Sequence, residues 1–151
     1  MSETSSFEEL LERDGKLVYT NVGVSMMPLL RQHRDVMVIA RVPEGERLKK
    51  YDAPLYKRRN GQYILHRILE VREKDYVVCG DNCWQKERVT DAQILGVLQA
   101  VVRDGKEIPV TDKKYLWYVH LWCDFYPIRA GLFWCRDMVR RALGKLKRML
   151  K

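Results

Sequence analysis

The sequence has no long apolar run. No window supplies the roughly 20 consecutive apolar residues that a membrane-crossing helix needs. Its start, Met-Ser-Glu-Thr-Ser-Ser, has neither a basic opening nor an apolar centre, so no secretory signal is expected there. Cysteine occurs four times (Cys79, Cys83, Cys123, Cys135) without a CxxC pair and without a histidine near Cys79 and Cys83. That spacing excludes the usual zinc patterns. We expect free, mostly buried thiols, no metal and no cofactor. Acid is scarce at the C-terminal end. Residues 128–151 hold eight Lys or Arg and only Asp137, a local balance of +7 out of +8 for the whole chain. The rest is near neutral, which argues against steering of nucleic acid by the whole surface, and no nucleic-acid partner is expected. Repeats and low-complexity stretches are absent too.

What remains is an ordinary single-domain composition, 46% hydrophobic and 32% charged over 151 residues. Ser6-Phe7-Glu8-Glu9 reads as a capping box for a short helix that Gly15 stops. Lys16 to Val24 is β-rich and should be the strand that delivers Ser25. Val36 to Val42 is a second strand, apolar enough to be buried on both faces. Asn60-Gly61 predicts a hairpin between Leu55–Arg58 and Tyr63–Leu69, and Asp104-Gly105 closes the long β-branched run from Ile94. Tyr76–Cys79 is a further strand. Residues 1–112 therefore read as a small, mainly antiparallel β-domain with one short N-terminal helix. From Lys113 the character changes. Eight of the fifteen aromatics fall between Tyr115 and Trp134, and Pro127 separates two helices. Apolar residues from Ile128 to Leu150 then recur at helical spacing among basic ones. Residues 113–151 form a helical arm on this reading.

The chemistry-bearing stretch is Gly23-Val24-Ser25-Met26-Met27-Pro28. A serine before a proline turn, beside a strand, is held where scaffolds place catalytic side chains. It is equally a common turn residue bonding its own backbone. Two more polar residues follow in the same β-domain, His66 in the Tyr63–Leu69 run and Asp81 after the Tyr76–Cys79 strand. A serine hydroxyl needs a base to take its proton, an imidazole serves near neutral pH, and a carboxylate fixes its tautomer. His66 alone would also suit a half-buried cross-strand position.

In combination these blocks resemble the type I signal peptidases. Ser25-Met26-Met27-Pro28 matches the serine box, Ile64 to Val71 looks like the base-bearing strand, and Gly80-Asp81-Asn82 matches the glycine–aspartate loop. Ile94–Val97 and Val101–Lys106 look like the last core strands, so the resemblance spans residues 16–110. It implies the β-fold that signal peptidases share with self-cleaving repressors. His66-Arg67 places the chain with the histidine type found in the endoplasmic reticulum and archaea. The resemblance implies Ser25 as nucleophile, His66 as base, Asp81 as the acid with Glu87 as the alternative, and Gly23, Met26 and Pro28 at the substrate. It also implies small side chains before the scissile bond. The sequence departs from the family in three places. Gly23 stands where many members have a serine supporting the oxyanion, Arg34-Asp35 replaces a Gly-Asp, and the N-terminal membrane anchor is missing.

The function expected is a serine endopeptidase that removes signal or leader peptides from a precursor, located in the cytoplasm or peripherally at the inner membrane face. A second class is a catalytically weak or inactive peptide-binding module of the same fold. A third, a self-cleaving repressor, fits less well because no DNA-binding helix pair precedes the domain and the base is not lysine. For residues 128–151, a basic amphipathic helix suits a membrane surface, and it equally suits packing on the core with a solvated basic face.

Overall fold

The computed structural model describes residues 6–150, so Met1–Ser5 and Lys151 lie outside it. The reading of the N-terminus as free of a secretory signal falls largely on those residues.

Local sequence sets most elements. Helix α1 (Phe7–Asp14) opens on the reciprocal Ser6–Glu9 capping box and ends at Gly15, which takes the left-handed conformation with φ 67°. Strands β1 (Lys16–Thr20) and β2 (Val36–Arg41) pair antiparallel, as do β3 (Pro54–Lys57) and β4 (Tyr63–Leu65) across the Asn60-Gly61 turn. Strands β5 (Arg67–Val71), β6 (Tyr76–Cys79) and β7 (Glu87–Val89) form a separate three-stranded sheet. The ten-residue β8 (Ile94–Arg103) is the spine of the larger sheet. It pairs with β2 on one side, and its other edge is shared between β3 and β9 (Lys106–Pro109). At the β8–β9 turn Asp104 and Gly105 both have positive φ, the geometry a two-residue hairpin needs. The six-stranded sheet is curled into a half-barrel, with β1 and β4 as its outer strands. Helices α2 (Lys113–Asp124) and α3 (Tyr126–Met149) follow.

Two expectations change in ways that matter for the site. The Tyr63–Leu69 run is not one strand: it breaks at His66, with β4 pairing to β3 in one sheet and β5 pairing to β6 in the other. His66 therefore sits at the step between the two sheets. Strand β1 also stops at Thr20, well short of Ser25. The Asn21 side chain donates to the carbonyls of Gly23 and Leu30, and this replaces sheet pairing as the support of the serine segment.

The core lies inside the curl. Leu17, Leu30, Ile39, Leu55, Leu98 and Val101 are almost fully buried there, and Tyr115, Val119 and Cys123 of α2 close its end. A second cluster around Tyr56, Ile68 and Val78 packs between the sheets. Cys79 and Cys123 are buried, Cys83 is half-buried, Cys135 is exposed, and none is paired. Among the described residues no helix is long and apolar enough to cross a membrane.

Candidate active site

The serine turn is held from below by apolar anchors and from the side by an ion cluster. Met26 and Leu30 are buried at 2% and 0% exposure, so the turn cannot lift off the core without exposing both. Asp35 is fully buried and accepts hydrogen bonds from the Arg31 backbone, the Arg31 guanidinium and Arg103. Arg103 also donates to the Pro28 and Leu29 carbonyls. Burial alone would raise the Asp35 carboxyl, but the bonds from Arg31 and Arg103 outweigh it and hold it at about 2. Asp35, the aspartate that the Arg34-Asp35 pair keeps, thus fixes the loop that carries Ser25.

His66 is 5% exposed. Its Nδ1 lies 3.2 Å from Glu87 Oε1 and 3.2 Å from the Tyr56 hydroxyl. Arg58 clamps the same carboxylate, with Nε donating to Oε2 at 2.9 Å and Nη2 donating to Oε1. A carboxylate can only accept and the Tyr56 hydroxyl can do either, so a proton on Nδ1 satisfies both neighbours and would leave the Nε2 lone pair free. Burial pulls the imidazole down to about 4, against the opposing pull of the Glu87 charge, so the ring is neutral at physiological pH. Burial would likewise raise Glu87, but hydrogen bonds from Arg58 and Tyr56 hold it below its ordinary value.

Gly80 is where the serine and histidine segments meet. A methyl group there would lie 2.6 Å from the Ser25 carbonyl oxygen, 2.8 Å from Cys83 Sγ and 3.1 Å from His66 Nε2. His66 Nε2 and the Ser25 carbonyl thus border the same small space, which only glycine leaves open. Among the described residues the Ser25 hydroxyl makes no hydrogen bond, so the contact to His66 is not closed in this state. Catalytic hydrogen bonds often tighten only when substrate is bound. The Ser25 N–H is also free of backbone partners and remains available as a donor.

The two candidate acids have different surroundings. Asp81 is 1% exposed and takes two bonds from Arg67, at 2.9 and 2.8 Å, and one from the Tyr118 hydroxyl at 2.9 Å. Arg67 in turn reaches Tyr115 and the Tyr51 carbonyl. Asp81 is thus committed to a buried ion pair joining β5, the loop after β6 and α2. The carboxylate beside His66 is that of Glu87, the alternative acid, while Asp81 is held by Arg67. Removing one partner of such a pair leaves an uncompensated buried charge. Asp81→Asn should cost about 3 kcal/mol or more of stability, read as a lowered midpoint in urea unfolding.

Asn82 was not anticipated. Its N–H donates to the Ser25 carbonyl at 2.7 Å and its side chain to the Val24 carbonyl at 3.1 Å. Helix α3 grips the same loop from behind. Arg136 donates to Asn82, and Arg129 donates to the carbonyls of Gly80, Asp81 and Cys83. The matching Gly80-Asp81-Asn82 block was the sequence signal; the contact to Ser25 needed the three-dimensional arrangement.

Two concavities flank the site. An apolar one of about 320 Å³ lies between the outer strands β1 and β4, lined by Gly23, Ser25, Met26, Leu55, Ile64 and Leu65 among others. A more open, polar one of about 770 Å³ is lined by His66, Glu87, Arg58, Asn82 and Trp84 among others. Gly23 and Met26 thus line the cavity beside Ser25, whereas Pro28 does not and instead presents its carbonyl to Arg103. No cluster of His, Cys, Asp and Glu suited to a metal occurs among the described residues.

A scan against protein-family models and a search of curated proteins return no match for this chain.

Proposed function

We propose that the chain is a serine endopeptidase, similar in mechanism to the histidine-type signal peptidases, that cleaves a signal or leader peptide from a precursor. The observation that supports this most is the arrangement around Gly80: a neutral imidazole, with Glu87 and Tyr56 beside its Nδ1, has its Nε2 bordering the same small space as the Ser25 carbonyl. In this reading His66 Nε2 takes the Ser25 proton as Oγ attacks the scissile carbonyl. The oxyanion accepts from the Ser25 N–H, and Glu87 stabilises the imidazolium. The leaving amine takes the proton back from Nε2, and water then hydrolyses the ester on Ser25. An extended substrate would lie between β1 and β4, pairing with an open edge as peptides commonly do, with an apolar side chain in the 320 Å³ cavity. We place the enzyme in the cytoplasm or at the inner face of the membrane.

The test is digestion of a proteome-derived peptide library by the purified chain, with new termini identified by mass spectrometry. New internal cleavages that vanish in both Ser25→Ala and His66→Ala support the reading. Peptide binding without cleavage by the wild-type chain would instead assign it to the peptide-binding class, which the unclosed Ser25–His66 contact and the missing hydroxyl at Gly23 favour.

Two predictions follow from the geometry. First, because the free enzyme's His66 is held near 4, kcat/KM should rise through about pH 4 and stay level up to neutrality, not rise through 6.5. The same shift sets a stability window. The unfolded chain binds a proton at His66 between about pH 6.5 and 4 that the folded chain does not. The contribution of His66 is therefore fully present above 6.5 and is lost as pH falls toward 4. Second, a side chain at Gly23 would meet nothing within 4 Å, and its φ is not positive. Gly23→Ser can therefore add the missing oxyanion donor without strain, and kcat should rise by about tenfold to a hundredfold in steady-state peptide cleavage.

A further inference from the structure

Helix α3 carries an apolar stripe that the body of the protein leaves uncovered. Ile128, Leu132, Val139, Leu143, Leu146 and Leu150 recur at intervals of three, four or seven residues, which is one face of a helix, and every one is more than half exposed. The contacts of α3 to the body come from other side chains. Arg129 and Arg136 hold the Gly80–Cys83 loop, Asp137 accepts from Trp84, and Tyr126 donates to the Trp84 carbonyl. The body thus meets α3 through polar and charged side chains of its first half and leaves the apolar stripe uncovered. At 3.6 residues per turn Lys147 and Arg140 lie along one margin of the stripe, Lys145 follows Met138 and Ala142 on the other, and Arg141 and Arg148 fall on the opposite face.

We infer that this face docks the protein on an anionic lipid bilayer, with α3 lying in the plane of the surface. The chemistry selects that partner. A second copy would cover the leucines only by bringing two arms of charge +7 side by side, with like charges at the margins. Nucleic acid would satisfy the lysines and arginines but leave the apolar stripe in water. An anionic bilayer serves both, since the leucines enter the acyl boundary while the flanking cations reach the head groups. The inference stands on α3 alone and does not depend on the peptidase reading.

Co-sedimentation of the full chain with vesicles tests it, comparing phosphatidylcholine with phosphatidylcholine containing phosphatidylglycerol. The wild-type chain should partition onto the anionic vesicles about tenfold or more better than onto the neutral ones, and less at high salt. Val139→Asp with Leu146→Asp should lose about tenfold or more of that partition with an unchanged thermal melt of the β-domain, because neither side chain touches it. Arg140→Glu with Lys147→Glu, which preserves helix propensity, should lose a similar share. Failure of the wild type to bind anionic vesicles would overturn the inference. So would binding that survives loss of the two apolar residues, which is charge attraction alone. A wild-type dimer dispersed by the aspartate variant, without vesicle binding, would assign the face to a second copy.

Discussion

Glu87→Gln should reduce kcat by about a thousandfold or more while leaving the fold intact. The amide keeps the size of the side chain and can still meet Arg58 in part, but it no longer offers His66 Nδ1 a charged acceptor. The imidazole is then free to place its proton on Nε2, the tautomer that cannot accept from Ser25, and the imidazolium formed in the reaction loses its counter-charge. The corresponding change in a serine protease triad costs about 10⁴ in kcat. Asp81→Asn makes the contrast. It should lower stability through Arg67, and whatever folded protein remains should keep most of its turnover. Steady-state kinetics on both variants, each normalised to the folded fraction from its unfolding curve, separates the two carboxylates. Turnover lost in the folded Asp81 variant and kept in the Glu87 variant would reverse the assignment.

Gly80→Ala should abolish detectable cleavage although it adds a single methyl group. That methyl would lie 2.6 Å from the Ser25 carbonyl oxygen and 3.1 Å from His66 Nε2. Something must shift, and the nearest atom is backbone, which has no rotamer to escape into. The serine segment is fixed by Met26, Leu30 and the Asn82 bond, so the strain falls on the distance between nucleophile and base. A displacement of about 1 Å there costs on the order of a hundredfold or more in rate. The expected result is a folded protein of somewhat lower melting temperature with cleavage at background. Gly144→Ala, on exposed α3 with open space around it, serves as the control and should behave as wild type.

The sequence carried the local decisions well. The Ser6–Glu9 box, Gly15, Asn60-Gly61 and Asp104-Gly105 each impose a backbone conformation on their own residues, and the structure has α1 and both hairpins where those signals stand. The long-range decisions were not legible. The break at His66 depends on β4 finding β3 while β5 finds β6, which no feature of Tyr63–Val71 reveals. Choosing between Asp81 and Glu87 required knowing that Arg67 reaches one and Arg58 the other. Nor does periodicity say whether a helical face is covered. The spacing of Ile128 to Leu150 shows that these residues share a side of α3, and only their exposure in the folded chain shows that nothing covers it.

The central claim is that Ser25 and His66 act as one unit over Gly80. The most direct measurement is a crystal structure of the chain with an extended peptide aldehyde, which reports nucleophile, base and oxyanion position at once. The account predicts a covalent bond from Ser25 Oγ to the aldehyde carbon, the resulting oxygen within reach of the Ser25 N–H, and Oγ about 3 Å from His66 Nε2. An unreacted aldehyde seated between β1 and β4, with the Ser25 hydroxyl turned away from His66, would contradict it and leave a peptide-binding groove without chemistry.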